Sequence, residues 1–274
     1  METIPNDTKQ VFKEKGTCSR TFFYLLNREF GHPTEEEERA ADSLAGGIMQ
    51  AGHQCGMLWG AALAVGAESF RRAHHCSRAT ALAITATQHL LASFSETTHT
   101  ANCRDITGTD FSSRFQMMRY MIFRTGRCFS LAEKWAPKAI QAAEEGLAQE
   151  EADLPQETLS CASETVKKMG ASEEETAMVA GFAGGLGLSG HGCGALSAAI
   201  WMSSLAWGKE NPEKWSFKNP NAEKILNAFN EATGNEMRCP KICGRRFETV
   251  EEHTEFVKNG GCGQLIEALA QIVK

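Results

Sequence analysis

A chain of 274 residues with 42% hydrophobic residues can bury a sizeable core, which excludes global disorder, and it is long enough for one large domain or two ordinary ones. A net charge of -6 argues against nucleic acid as a partner, because its binders present a basic face. Ten cysteines follow an N-terminus, METIPNDTKQ, that carries charges and a proline and no apolar stretch; this reads as a cytoplasmic chain whose thiols stay reduced, and points to metal, cluster or redox chemistry more than to a disulfide framework.

The first predicted helix opens at Cys18, in "CSRTFFYLLNREFG", and ends at Gly31. A capping box follows, Thr34 with Glu37, with acidic residues in its first turn. The next helix is small and apolar and ends in the turn "GHQCG", from which a further apolar helix runs over residues 56–70. Cys76 sits in "RRAHHCSR"; His74 and His75 beside it could complete a small metal site, but a solvated basic loop is the plainer reading. "RATALAITATQHLLASF" has helical spacing, "CRDITGTDF" begins at Cys103, and "GRCFSLAEKW" carries Cys128 into a closing helix. In "MMRYMIFRTGRC" the Met and Phe residues are expected in the core. Arg119, Arg124 and Arg127 there are expected on a charged outer face, with docking of an acidic redox partner as the alternative.

The same order of elements is then written again. Cys161 opens "CASETVKKMG", which ends at Gly170, and Ser172 with Glu175 makes the second capping box. "GHGCG" repeats the turn around Cys193, and an apolar helix covers residues 194–207. "NAEKILNAFNEATG" is helical, "CPKICGRRF" begins at Cys239, and "GGCGQLIEAL" carries Cys262. Both copies fit C-x-x-I-x-G-x-x-F and then G-x-C-x-x-L, so four cysteines recur in the same order with similar gaps and context. Cys76 and Cys243 have no counterpart in the other copy. The acidic stretch "EEGLAQEEADLPQE" marks a boundary, dividing the chain into repeats 1–148 and 149–274.

Residues 178–208 carry no formal charge, a length beyond that of a membrane-spanning helix, but their glycines, serines and the GHGCG string read as two buried helices joined at a tight turn. Alternating β-branched runs are missing. The fold class is therefore all-α: two homologous helical repeats packed as a pseudo-two-fold internal dimer.

Each half resembles the family named for its pattern, C_GCAxxG_C_C, a family of redox-active proteins. The second half fits best, through Cys161, the run "GFAGGLGLSGHGCGALSAA", Cys239 and Cys262; the first departs where Met57 replaces the alanine after Cys55-Gly56, although Gly60 is kept. The module is also similar to the one that accompanies haem domains in split-Soret cytochromes, where an iron–sulfur centre is attributed to it; no C-x-x-C-H occurs here, so haem is not implied.

The sequence leaves several readings of these cysteines open. One is an iron–sulfur cluster, preferably two-iron two-sulfur, for electron transfer, held by Cys18, Cys55, Cys103 and Cys128 and by Cys161, Cys193, Cys239 and Cys262; the second quartet is the first choice as metal ligands. Cys55 and Cys193 should sit at the start of apolar helices, where the helix dipole favours thiolate. A dithiol/disulfide redox protein or thiol-dependent enzyme without a cluster is the second reading, and a structural zinc site the third, although no C-x-x-C knuckle is present. Cysteines that serve only as small buried hydrophobes are the last. His53 and His191, each two residues before a cysteine, could ligate metal or donate to a sulfur, with a turn histidine bonded to backbone as the plainer alternative. The expected partner is a redox protein that the sequence does not identify; a homo-oligomer is compatible, and neither nucleic acid nor a membrane span is expected.

Overall fold

The computed structural model describes residues 7–73, 75–149, 154–155, 157–214, 216 and 219–272. The described residues form helices and no β-strand; Gln54 and Asn102 make an isolated antiparallel bridge. After a leading helix α1 (Thr8–Lys15), the first repeat runs α2 (Cys18–Glu29), α3 (Glu35–Ala40), a 3-10 turn (Ala41–Leu44), α4 (Gly56–Ala73), α5 (Cys76–Thr98), α6 (Cys103–Thr107), α7 (Arg114–Phe123) and α8 (Thr125–Leu147). The second repeats that order: α9 (Cys161–Lys168), α10 (Glu173–Met178), a 3-10 turn (Ala180–Phe182), α11 (Gly194–Glu210), α12 (Pro220–Thr233), α13 (Cys239–Cys243), α14 (Val250–Lys258) and α15 (Gly263–Gln271). The boundary stretch lies partly outside the described residues.

Local chemistry sets the helix ends. Thr17 and Ser160 cap α2 and α9 by accepting from Arg20 N and Ser163 N. Gly31 and Gly170, with φ of 83° and 89°, stop the chain just beyond them. The Ser172–Glu175 capping box forms as expected. Its counterpart does not: Glu38 rather than Glu37 accepts from Thr34 N, because Asn27 holds that carboxylate inside with a second hydrogen bond.

The glycine-rich runs are where the structure departs most from the expected pair of helices. After each 3-10 turn the backbone winds left-handed for five consecutive residues, Gly46–Gln50 in one repeat and Gly184–Leu188 in the other, and again at Gly52 and Gly190. The hydrogen bonds match pair by pair: Ile48 N to Leu44 O and Leu186 N to Phe182 O, Met49 N to Ser43 O and Gly187 N to Gly181 O, Gly52 N to Gly46 O and Gly190 N to Gly184 O. Left-handed helix costs an L-residue about 1–2 kcal/mol. Ile48 and Leu186 accept it while fully buried, and burial of such a side chain returns about 1.5–3 kcal/mol. The turn therefore depends on being packed.

A continuous apolar core runs through both repeats. Trp135 of α8 stacks on Phe22 and meets Phe94 edge-on, tying α8 to α2 and α5. Contacts between the repeats are reciprocal: α4 packs on α10 and the second 3-10 turn, and α11 packs on α3 and the first. Trp59 meets Phe182 edge-on at 4.7 Å, and Trp201 Nε1 donates to Glu37 O. Gly66 makes the close approach possible, since a Cβ there would fall on the carbonyl oxygens of Ala177 and Met178.

One helix contradicts the expected burial. In α7, Phe115, Met118, Met121, Ile122 and Phe123 are between 57% and 78% exposed, and only Tyr120 is buried. These apolar side chains are spread around the helix and lie largely in solvent, although α7 touches α8. No helix is long and apolar enough to cross a membrane among the described residues.

Candidate functional site: two groups of thiols at helix N-termini

All eight repeated cysteines stand at the start of a helix. Cys18, Cys103, Cys161 and Cys239 are first residues of α2, α6, α9 and α13; Cys193 and Cys262 cap α11 and α15; Cys55 directly precedes α4; Cys128 is in the first turn of α8. Each quartet thus stands at the N-terminal ends of four helices, where the dipole favours negative charge on sulfur and burial opposes it.

In the first repeat Cys18, Cys55, Cys103 and Cys128 come together, each close enough for its charge to bear on others of the group. The side chains of Cys18 and Cys55 interact with each other. That interaction, together with the Gly46 N–H at the start of the left-handed turn, holds the Cys18 thiol below its usual value despite burial, and the same interaction with burial pushes Cys55 well above. Burial pushes Cys103 up, and Cys128 up to about 11; the nearby Tyr120 hydroxyl opposes the latter rise.

In the second repeat Cys161, Cys193, Cys239 and Cys262 gather in the same way. Burial raises all four thiols, Cys193 and Cys262 to about 12. The equivalent backbone donor recurs: Gly184 N–H points at Cys161 as Gly46 N–H does at Cys18. The leading cysteine of each repeat thus lies beside the first glycine of the left-handed turn; the paired glycines themselves are required by their positive φ and by the lack of room for a Cβ.

Two side chains of these groups were not selected from sequence. Cys243 lies with the second quartet, its sulfur 3.8 Å from that of Cys239. It occupies the place held in the first repeat by Thr107, four residues after the third cysteine, so spacing within α13 was the signal available. Tyr120 reaches Cys128 from α7 with no pattern to mark it. Cys76 stands apart from both groups, its thiol beside Glu173. His75 precedes α5, and His74 lies outside the described residues.

His53 and His191 both line a cleft of about 390 Å³ between the repeats, together with Arg104, Asn235 and Arg238. The backbone of His53 carries turn bonds, its N donating to Gly47 O and its O accepting from Cys103 N. Arg124 and Arg127 donate to Gly108 O and Thr107 O, the carbonyls that end α6, rather than projecting freely. Beside the cleft, Gln54 is fully buried, and neither atom of its amide has a hydrogen-bond partner. Gln54 and Gly192 hold equivalent places, one residue before Cys55 and Cys193, and a Cβ on Gly192 would fall on the Gln54 amide. Among the described residues no three or more His, Cys, Asp or Glu side chains are arranged to hold a metal ion.

A helical chain that twice collects four cysteines at helix N-termini, through the same succession of helices and left-handed turns, is a duplicated thiol-centred protein. The family model described as "Putative redox-active protein (C_GCAxxG_C_C)" matches residues 17–142 and again 156–274, and the chain belongs to that family. No curated protein and no solved structure matches it.

Proposed function

We propose that each repeat holds an iron–sulfur cluster, on Cys18, Cys55, Cys103 and Cys128 in the first and on Cys161, Cys193, Cys239 and Cys262 in the second, and that the protein passes electrons to a partner protein. The observation that carries this reading is the placement of all eight sulfurs at helix N-termini, with a matched backbone N–H on the leading cysteine of each group. Four-thiolate sets are the usual holders of such clusters, and N–H groups aimed at sulfur tune them. The donor chemistry fits; the sulfurs must draw together on loading, since no metal-ligand set is closed among the described residues. A bound cluster supplies one-electron exchange. The chain supplies thiolates, N–H donors, and the apolar flanks of α4 and α11 that keep water out.

We also infer that the repeats are related by a pseudo-two-fold axis passing near Gln54 and Gly192, which the reciprocal contacts of α3 with α11 and α10 with α4 support. Ten unpaired cysteines suit a reducing compartment such as the cytoplasm. Thiol chemistry without a cluster is the second reading, favoured by the interacting Cys18 and Cys55 thiols, of which Cys18 is held below its usual value.

Reconstitution with iron and sulfide under anaerobic conditions tests the first reading. Charge-transfer absorption, bound iron and acid-labile sulfide are expected. Cys55→Ser and Cys193→Ser should each lose the cluster of their own repeat and keep the other. A protein that retains neither iron nor sulfide after reconstitution would rule the cluster out.

A further inference from the structure

The second thiol group contains a fifth cysteine, and the first does not. Cys239 and Cys243 are the first and last residues of α13, a single helical turn, with their sulfurs 3.8 Å apart. Cys243 donates its S–H to Arg245 O at 3.1 Å, which leaves Cys239 as the donor between the two sulfurs. Cys243 also lines an open cavity of about 720 Å³, along with Cys262, Phe256 and Leu265; Cys239 does not. One sulfur of the pair is therefore within reach of a molecule in the cavity, and the other stands behind it.

We propose that Cys239 and Cys243 form a reactive dithiol that reduces low-molecular-weight disulfides entering this cavity. The thiolate of Cys243 attacks one sulfur of the substrate disulfide. The Cys243–substrate bond forms, the substrate S–S bond breaks, and the first thiol leaves with the proton given up by Cys243. Cys239 then attacks the Cys243 sulfur; the internal disulfide closes and the second substrate thiol leaves with the proton from Cys239. Two protein thiols and one disulfide thus become one protein disulfide and two small thiols, and an excess of small thiol reverses the exchange.

The local backbone suits closure. Residues four apart on a helix lie roughly 6 Å apart at Cα, inside the range that disulfides span. Gly244, directly after Cys243, has a φ of 77° and open space around it, so the turn can tighten. At the corresponding place in the first repeat Thr107 is fully packed and spends its hydroxyl on Cys103 O, so that copy has no such pair. The proposal does not depend on a cluster. If one is present in the second repeat, closure would withdraw Cys239 from its ligand set.

The metal-free protein can be titrated with oxidised glutathione, alkylated and digested with trypsin. Cleavage after Arg238, Lys241 and Arg245 places Cys239 and Cys243 in separate peptides, 239–241 and 242–245. The expected result is a single cross-linked species of these two peptides in the oxidised sample, which separates into its parts on treatment with dithiothreitol. Glutathione release should match its formation. Cys243→Thr, which reproduces the first repeat, should release no glutathione at this site, and Cys239→Ser should stop at a mixed disulfide on Cys243. Recovery of both cysteines alkylated after oxidation, or Cys243 joined to Cys262 instead, would overturn the proposal. Neither outcome bears on iron binding, which is read separately.

Discussion

Gly185→Ala and Gly47→Ala are each expected to destabilise the protein by about 4 kcal/mol or more, a loss reserved for single changes that break the backbone's own packing. Both residues lie in the left-handed turns, at φ of 84° and 78°, where a side chain already costs about 1–2 kcal/mol. The decisive part is what the new methyl would meet. At Gly185 it falls on the backbone of Gly192, and at Gly47 on the backbone nitrogen and carbonyl of His53. Neither obstacle is a side-chain tip that can swing away. Gly31→Ala provides the control: its φ of 83° is as unusual, but nothing lies within 4 Å of the added carbon, so its cost should stay near about 1 kcal/mol. Urea unfolding of the three variants separates the two effects. Equal losses at Gly31 and Gly185 would mean that the turns are not packed as described.

The second large effect concerns pH. Asp42 is 1% exposed, sits in the 3-10 turn before the first left-handed segment, and accepts from Thr17 Oγ1 at 2.6 Å. Burial pushes its carboxyl up to about 6, against the partial opposition of Thr17 and Arg20. A folded-state pKa above the unfolded one means that the folded protein holds this proton more tightly. Ionisation therefore removes stability as pH rises from about 4 through about 6, and no such loss exists below the unfolded pKa. A rise of roughly two units corresponds to about 3 kcal/mol at most. Asp42→Asn keeps an acceptor for Thr17 and abolishes the ionisation. Its advantage over the parent should be absent at pH 4 and should grow to a plateau above pH 6.5. Glu38, raised by the same cause, leaves a residual slope in both proteins. A stability difference that does not change across this interval would show that Asp42 is not buried as an acid.

Much of this architecture was legible in the sequence because duplication writes each signal twice. Cys18 and Cys161, each followed by an amphipathic run and a glycine, located two helices and the start of each repeat. The handedness of the following run was not legible. Glycine permits left-handed backbone without requiring it, and Ile48, a β-branched residue, argues against it until its burial is known. Exposure of α7 was hidden for a different reason. The spacing of Phe115, Met118 and Ile122 shows that they share a face, but whether that face meets anything is decided by the rest of the fold. Cys243 was set aside because only cysteines that recur in both repeats were selected, and the first repeat has Thr107 in its place.

The contact of Gln54 with Gly192 bears on how the molecule came to be a single chain. In a dimer of identical subunits, a residue beside the symmetry axis meets its own copy, and one choice of side chain must serve both places. Glutamine in both would put two amides in the space of one, and glycine in both would leave that space without a side chain. A fused chain escapes this constraint, because its two halves can diverge at equivalent positions. Glutamine on one side and glycine on the other is a solution that two identical subunits cannot reach. On the proposed two-fold relation of the repeats, neither half paired with a copy of itself would rebuild the same junction.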